Sequence, residues 1–136
     1  MWMTLLMLLA AAVPADDRAP ATEDLQALQG VWQLGQADGK RIEIENRGQI
    51  QTFRAYDGGQ LVHEHRVEYE LGREGVLRVF RWKNGEVTFG PRKGKPVANG
   101  GFVYRLKDGK WTCVTGLLPG EEGLPLITQH FEKMPE

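Results

Sequence analysis

Phe102-Val103-Tyr104-Arg105-Leu106-Lys107-Asp108-Gly109-Lys110-Trp111-Thr112-Cys113 decides the fold class. Phe102, Tyr104 and Leu106 alternate with Val103, Arg105 and Lys107. A period of two with one apolar face is that of a half-buried strand. Asp108-Gly109 then supplies two residues that tolerate positive φ, as a two-residue hairpin requires. On the returning strand Trp111 and Cys113 share a face.

The same pattern runs outward from this hairpin. Asp38-Gly39, Asp57-Gly58 and Asn84-Gly85 are further Asx-Gly pairs and read as hairpin turns, with more turns at 46–48 and 72–75. Ile42 and Ile44 alternate with Arg41, Glu43 and Glu45. Leu61, His63, His65, Val67 and Tyr69 fall on one strand face, and Glu64, Arg66, Glu68 and Glu70 on the other. Ile127, Gln129 and Phe131 alternate with Thr128, His130 and Glu132. The spacing predicts about nine strands, near 31–37, 40–46, 49–56, 60–70, 75–83, 86–89, 101–107, 110–115 and 127–133. Longer loops are expected at Gly90–Gly100 and Gly116–Leu126, and a short helix over Glu23–Gln29 with Thr22 as its N-cap. Short links make sequence neighbours spatial neighbours, and closing the meander removes its two exposed edges. The expected fold is all-β, an antiparallel meander closing into a barrel of about eight or nine strands behind a short N-terminal helix.

Composition narrows function by exclusion. The chain has 136 residues and a formal net charge of −1, so no strong field draws it to nucleic acid. It contains no serine, which removes serine-nucleophile hydrolases. A single cysteine, Cys113, rules out an internal disulfide. No phosphate-cradling Gly-x-x-x-x-Gly-Lys-Ser/Thr is present. Glu64, Glu68 and Glu70 share their face with Arg66 and read as exposed wall, not as a paired-carboxylate site.

Residues 4–13 form an apolar run shorter than the roughly 20 residues of a membrane-spanning helix. Val13-Pro14-Ala15 follows, with small residues where a signal peptidase reads, and then Asp16-Asp17. Residues 1–15 therefore read as a secretory signal peptide, 16–22 as a flexible lead-in and 23–136 as the barrel domain. Export to the periplasm, cell envelope or exterior follows, as a monomer with no membrane span after cleavage. No cysteine follows the apolar run, so a lipid anchor is not expected.

Asp24-Leu25-Gln26-Ala27-Leu28-Gln29-Gly30-Val31-Trp32, a short helix running into Gly-x-Trp, resembles the opening of calycin and lipocalin proteins. It is closer still to small exported lipocalin-like domains of unknown function common in planctomycete bacteria, which open with Leu-Gln-Gly-x-Trp. Tyr104-x-Leu106-x-Asp108-Gly109 with Cys113 soon after, and the closing Phe131-Glu132-Lys133, are similar to that group. The resemblance spans most of residues 24–133; the Pro-Lys-x-Ile-Asp segment of the group is not found here. It implies a lipocalin-like barrel and no particular activity. In true lipocalins an Arg on or after the last strand packs over the Trp; this chain offers Lys133.

Gly30 and Trp32 read as structural, the glycine turning the chain in and the indole plugging one end. His63 and His65 are the chemical lead, since i, i+2 on a strand presents two imidazoles to one side. A metal site would need a third ligand: His130 lies on the wrong face from Phe131, and Cys113 is the candidate. No metal or other cofactor is expected, and Cys113 reads as a buried apolar residue. Arg92, Lys93 and Lys95 fall in a loop that reads as solvated, though it could meet an anionic ligand. The favoured reading is a non-enzymatic module binding a small apolar or amphipathic ligand. Its pocket candidates are Leu61, His63, His65, Val67, Tyr69, Phe102, Tyr104 and Trp111. The rivals are a packed barrel serving as a cell-envelope interaction module, and a metal-binding protein or enzyme using His63 and His65.

Overall fold

Lys107 faces Lys110 across Asp108-Gly109, whose φ angles of 52° and 72° are both positive, so the hairpin that opened the sequence argument is formed. The computed structural model describes residues 20–135. The signal-peptide assignment over 1–15 and most of the lead-in lie outside them. A helix, α1 (Pro20–Ala27), is followed by β1 (Gly30–Gly35), β2 (Lys40–Arg47), β3 (Ile50–Asp57), β4 (Gln60–Glu74) and β5 (Leu77–Phe89). A two-residue strand β6 (Pro96–Val97) precedes β7 (Gly100–Lys107), β8 (Lys110–Thr115) and β9 (Ile127–Lys133). β1 to β5, then β7, β8 and β9, pair antiparallel in sequence order, and β9 pairs back onto β1. The result is a closed eight-stranded antiparallel barrel, with β6 as an extra strand on β5.

One turn departs from expectation. Asn84-Gly85 does not reverse the chain; β5 runs through it, pairing Glu68 with Lys83 and Arg66 with Glu86, so that Asn84 (φ 52°) sits in a bulge. The long β4 continues to offer ladder partners there, and a bulge absorbs the extra residue while bending the strand. The two strands expected at 75–83 and 86–89 are thus one. Likewise the loop expected at Gly90–Gly100 holds β6, whose Val97 pairs with Gly85.

α1 lies across one end of the barrel, and the Leu-Gln-Gly-x-Trp opening locks it there. Leu28 is fully buried. The Gln29 amide donates to Gly48 O at 3.1 Å and its Oε1 accepts from Gly48 N at 2.6 Å, clamping helix to the β2–β3 turn. Gly30 adopts φ 107°, and a Cβ there would press on the Lys133 stem. The Trp32 indole donates to Leu28 O at 3.0 Å, and Lys133 Nζ stands 5.7 Å over its ring. Lys133 thus gives the Trp32 ring a cation–π cover. Farther along the helix, buried Asp24 accepts from Tyr104 Oη at 2.7 Å and from Arg78 Nη1 at 3.3 Å.

Above this plug the lumen is filled with rings. Tyr69 stacks on Phe80 at 4.5 Å, Phe80 on Phe102 at 4.7 Å, and Trp111 contacts Trp32 at 5.6 Å and Phe131 at 5.4 Å. Offset and edge contacts of this kind add about 0.5–1.5 kcal/mol each beyond area burial. Outside the wall, Val79 and Val103 are buried under Leu118 from the β8–β9 link.

Candidate functional site

The half of the barrel away from α1 is not filled. A cavity of about 180 Å³ opens there, walled by Ile44, Phe53, Val67, Trp82, Phe102 and Phe131. Four residues add polar atoms: Gln51, His65, Thr115 and Gln129. No charged side chain lines it.

Cross-strand register explains why these side chains converge. Ile44 pairs with Phe53 and Phe53 with His65, so three neighbouring strands present one row to the lumen. Gln51 pairs with Val67 and forms the next row, its amide donating to Asn46 Oδ1 at 3.2 Å. Trp82 is held by the segment after β5. Its indole donates to Ala98 O at 2.9 Å, and its ring lies on Gly100, where a Cβ would approach within 2.5 Å. The glycine is what lets this wall close.

His65 stacks face to face on Phe53 at 4.6 Å and 6°. Its Nδ1 lies 2.8 Å from His63 Nε2, and the two ring centroids are 5.0 Å apart. That separation is nearly filled by the N···N distance and the two ring radii, so the nitrogens point at each other, as in a hydrogen bond. Burial, with the charge of His63 beside it, pushes the His65 imidazole down to about 4, so the ring is neutral at neutral pH.

Of the sequence-predicted pocket residues, His65, Val67 and Phe102 line the cavity. His63 is half-buried on the same face of β4, nearer the β3–β4 turn, whereas a bulge there pairs Leu61 with Tyr56 instead of Ala55 and turns it to the opposite, outer face, so Leu61 is not a pocket residue. Tyr69, Tyr104 and Trp111 point inward but belong to the packed half. Tyr69 Oη donates to Gly48 O at 2.7 Å beside the helix end. Cys113 is buried in the same core, faces Gln129 across the β8–β9 ladder, and burial pushes its thiol up. The structure does not bring it to the histidines: among the described residues no three His, Cys, Asp or Glu side chains form a metal-binding group. His130 is exposed and bonds Thr112 Oγ1 at 3.1 Å.

Ile44, Gln51, Phe53, Trp82, Thr115, Gln129 and Phe131 were not among the predicted pocket residues. Gln129 and Phe131 shared a recognised face, and extending the alternation to β3 would have found Gln51 and Phe53. The outer wall carries ion pairs instead of a catalytic carboxylate pair. Arg54 bonds Glu64 at 2.9 Å and lies 3.3 Å and 3.5 Å from Glu43 and Glu45. The Thr88 hydroxyl and Arg54 hold the Glu64 carboxyl below its usual range. Arg92, Lys93 and Lys95 are exposed.

The site defines a class, a closed antiparallel barrel plugged at one end by a helix and hollow at the other. No family model, curated protein or solved structure matches the chain.

Proposed function

We propose that this chain is an exported, non-enzymatic lipocalin-like domain that holds a small, largely apolar molecule in the hollow half of its barrel. The observation that carries the reading is the cavity of about 180 Å³, apolar on most sides with a few convergent polar atoms. Small-molecule sites have that composition, and an apolar cavity of about 150 Å³ is enough to take up a benzene-sized ring. Kinship with the small exported domains of planctomycete bacteria is supported by the roles of Leu28, Gln29, Gly30 and Trp32 in seating the helix. Export is supported by the apolar run and the Val13-Pro14-Ala15 motif. Among the described residues no helix is long and apolar enough to cross a membrane.

A second reading, an envelope interaction module, draws on one observation. Leu117, Leu124, Leu126 and Ile127 in and after the β8–β9 link are all about half exposed or more, at 48%, 56%, 65% and 50%.

Native mass spectrometry of the protein purified from its own host tests the leading reading. A retained small adduct is expected, absent from Val67→Trp, which fills the lumen. Bare protein, together with no uptake of any ring-sized compound, overturns it in favour of the interaction module.

A further inference from the structure

The His63–His65 contact has a consequence for what the cavity can recognise. An imidazole–imidazole hydrogen bond needs one N–H and one lone pair, so this contact places a proton on either His63 Nε2 or His65 Nδ1. The side that carries it fixes the far nitrogen of His65. When His63 donates, His65 Nδ1 is bare and its Nε2 carries a hydrogen. When His65 donates, its Nε2 is a bare lone pair. Nε2 belongs to the outer end of an inward-facing ring that lines the cavity, and the Phe53 stack fixes that ring's plane.

We infer that His65 Nε2 is the polar anchor of the cavity, able through the His63 contact to act as donor or acceptor, and that the ligand is a neutral single-ring aromatic or heteroaromatic compound with one hydrogen-bonding group. The inference rests on the lumen being a ligand site and names what it reads. Size limits the ligand to about one ring with a small substituent, since about 150 Å³ already holds benzene. Charge is excluded because no lining residue carries a countercharge, and a buried unpaired ion is costly. The ring character follows from the walls, where Phe53, Trp82, Phe102 and Phe131 offer faces and edges for stacking.

The test uses three probes of similar size that differ in polarity: pyridine, which only accepts; pyrrole, which only donates; and benzene, which does neither. Titration calorimetry on the full chain at pH 7.5 is expected to show pyridine and pyrrole each binding about tenfold tighter than benzene. In His65→Phe that advantage disappears while benzene still binds. In His63→Leu the Nδ1–H tautomer leaves a donor without its acceptor, so the proton favours Nε2; pyridine is expected to keep its advantage while pyrrole loses most of its own. A second readout needs no variant. The imidazole ¹⁵N shifts of the wild type should show His65 Nε2 protonated with pyridine and bare with pyrrole. The same tautomer in both complexes, or benzene binding as tightly as the other two, overturns the inference and leaves the lumen a ligand site. Failure of all three rings to bind overturns the lumen reading with it.

Discussion

Truncating Trp32 to Ala tests whether the Gly-x-Trp plug holds the barrel shut. The indole is 1% exposed, sits edge-on to Trp111 at 5.6 Å and lies beneath Lys133 Nζ. Removing a large buried aromatic costs about 3–5 kcal/mol in transfer and cavity terms. The lost N–H donation to Leu28 O adds little, because that carbonyl keeps the Asn46 Nδ2 donor at 2.9 Å and is not orphaned. The expected loss is about 4 kcal/mol, a large part of the roughly 5–15 kcal/mol that holds a domain folded. Trp32→Phe keeps a ring in the space and forfeits mainly the hydrogen bond and part of the volume, for about 1–2 kcal/mol. Urea unfolding measures both as a shift of midpoint at constant slope. A loss below about 1 kcal/mol for Trp32→Ala, or equal losses for the two variants, would refute the reasoning.

Three further outcomes are expected. The His65 imidazole lies at about 4 in the folded state through burial and the charge of His63, below its unfolded value near 6.5. Its contribution to stability is therefore complete above about pH 6.5 and declines as pH falls toward 4, because the unfolded chain takes up the proton first. Its cross-strand neighbours Phe53 and Val87 carry no charge to offset this. The full depression corresponds to about 3 kcal/mol, reduced to about 1–2 kcal/mol by solvent at the open mouth. His65→Phe should lose less stability than wild type between pH 7.5 and 4.5 by that amount, and parallel profiles would disprove it. EDTA should leave the melting temperature unchanged in wild type and in His63→Ala/His65→Ala, since the two nitrogens face each other and no third ligand is near among the described residues; a large drop confined to wild type would point to a metal. N-terminal sequencing of the exported protein should begin near Asp16, and an intact Met1 would contradict the signal-peptide reading.

The barrel was legible because its information is local. Period-two alternation and tight turns such as Asp108-Gly109 specify strands and hairpins without reference to the rest of the chain. Asn84-Gly85 failed for the complementary reason. A pair that favours positive φ serves a hairpin or a bulge equally well, and the choice was made by β4, which offers partners on both sides of the pair. Strand β5 also hid its inward face. Val79 and Phe80 are both buried, since Leu118 covers the outer wall at Val79 while Phe80 and Trp82 point to the lumen side, and no clean alternation survives two-sided burial.

The site was half legible, and the division is geometric. Alternation tells which face a side chain takes, and His63, His65, Val67 and Tyr69 on β4 did share one face, while the bulge before His63 turned Leu61 to the other. It does not tell the height at which a residue sits along the barrel axis. Height follows from register and from the end that α1 plugs. Register places Tyr69 beside Trp82 and His65 beside Val87, while the Tyr69 hydroxyl reaches the helix end at Gly48 and Gln29. The same strand therefore contributes a ring to the packed half and an imidazole to the hollow half, four residues apart. Ring size completes the separation. Near the plug, Trp32, Tyr69, Phe80 and Trp111 interlock and leave no room. Farther out, Ile44, Val67 and Thr115 occupy the corresponding inward positions. Side chains of that size leave the lumen open at the level of His65, so the cavity is a property of residue volume at a given height and not of any motif.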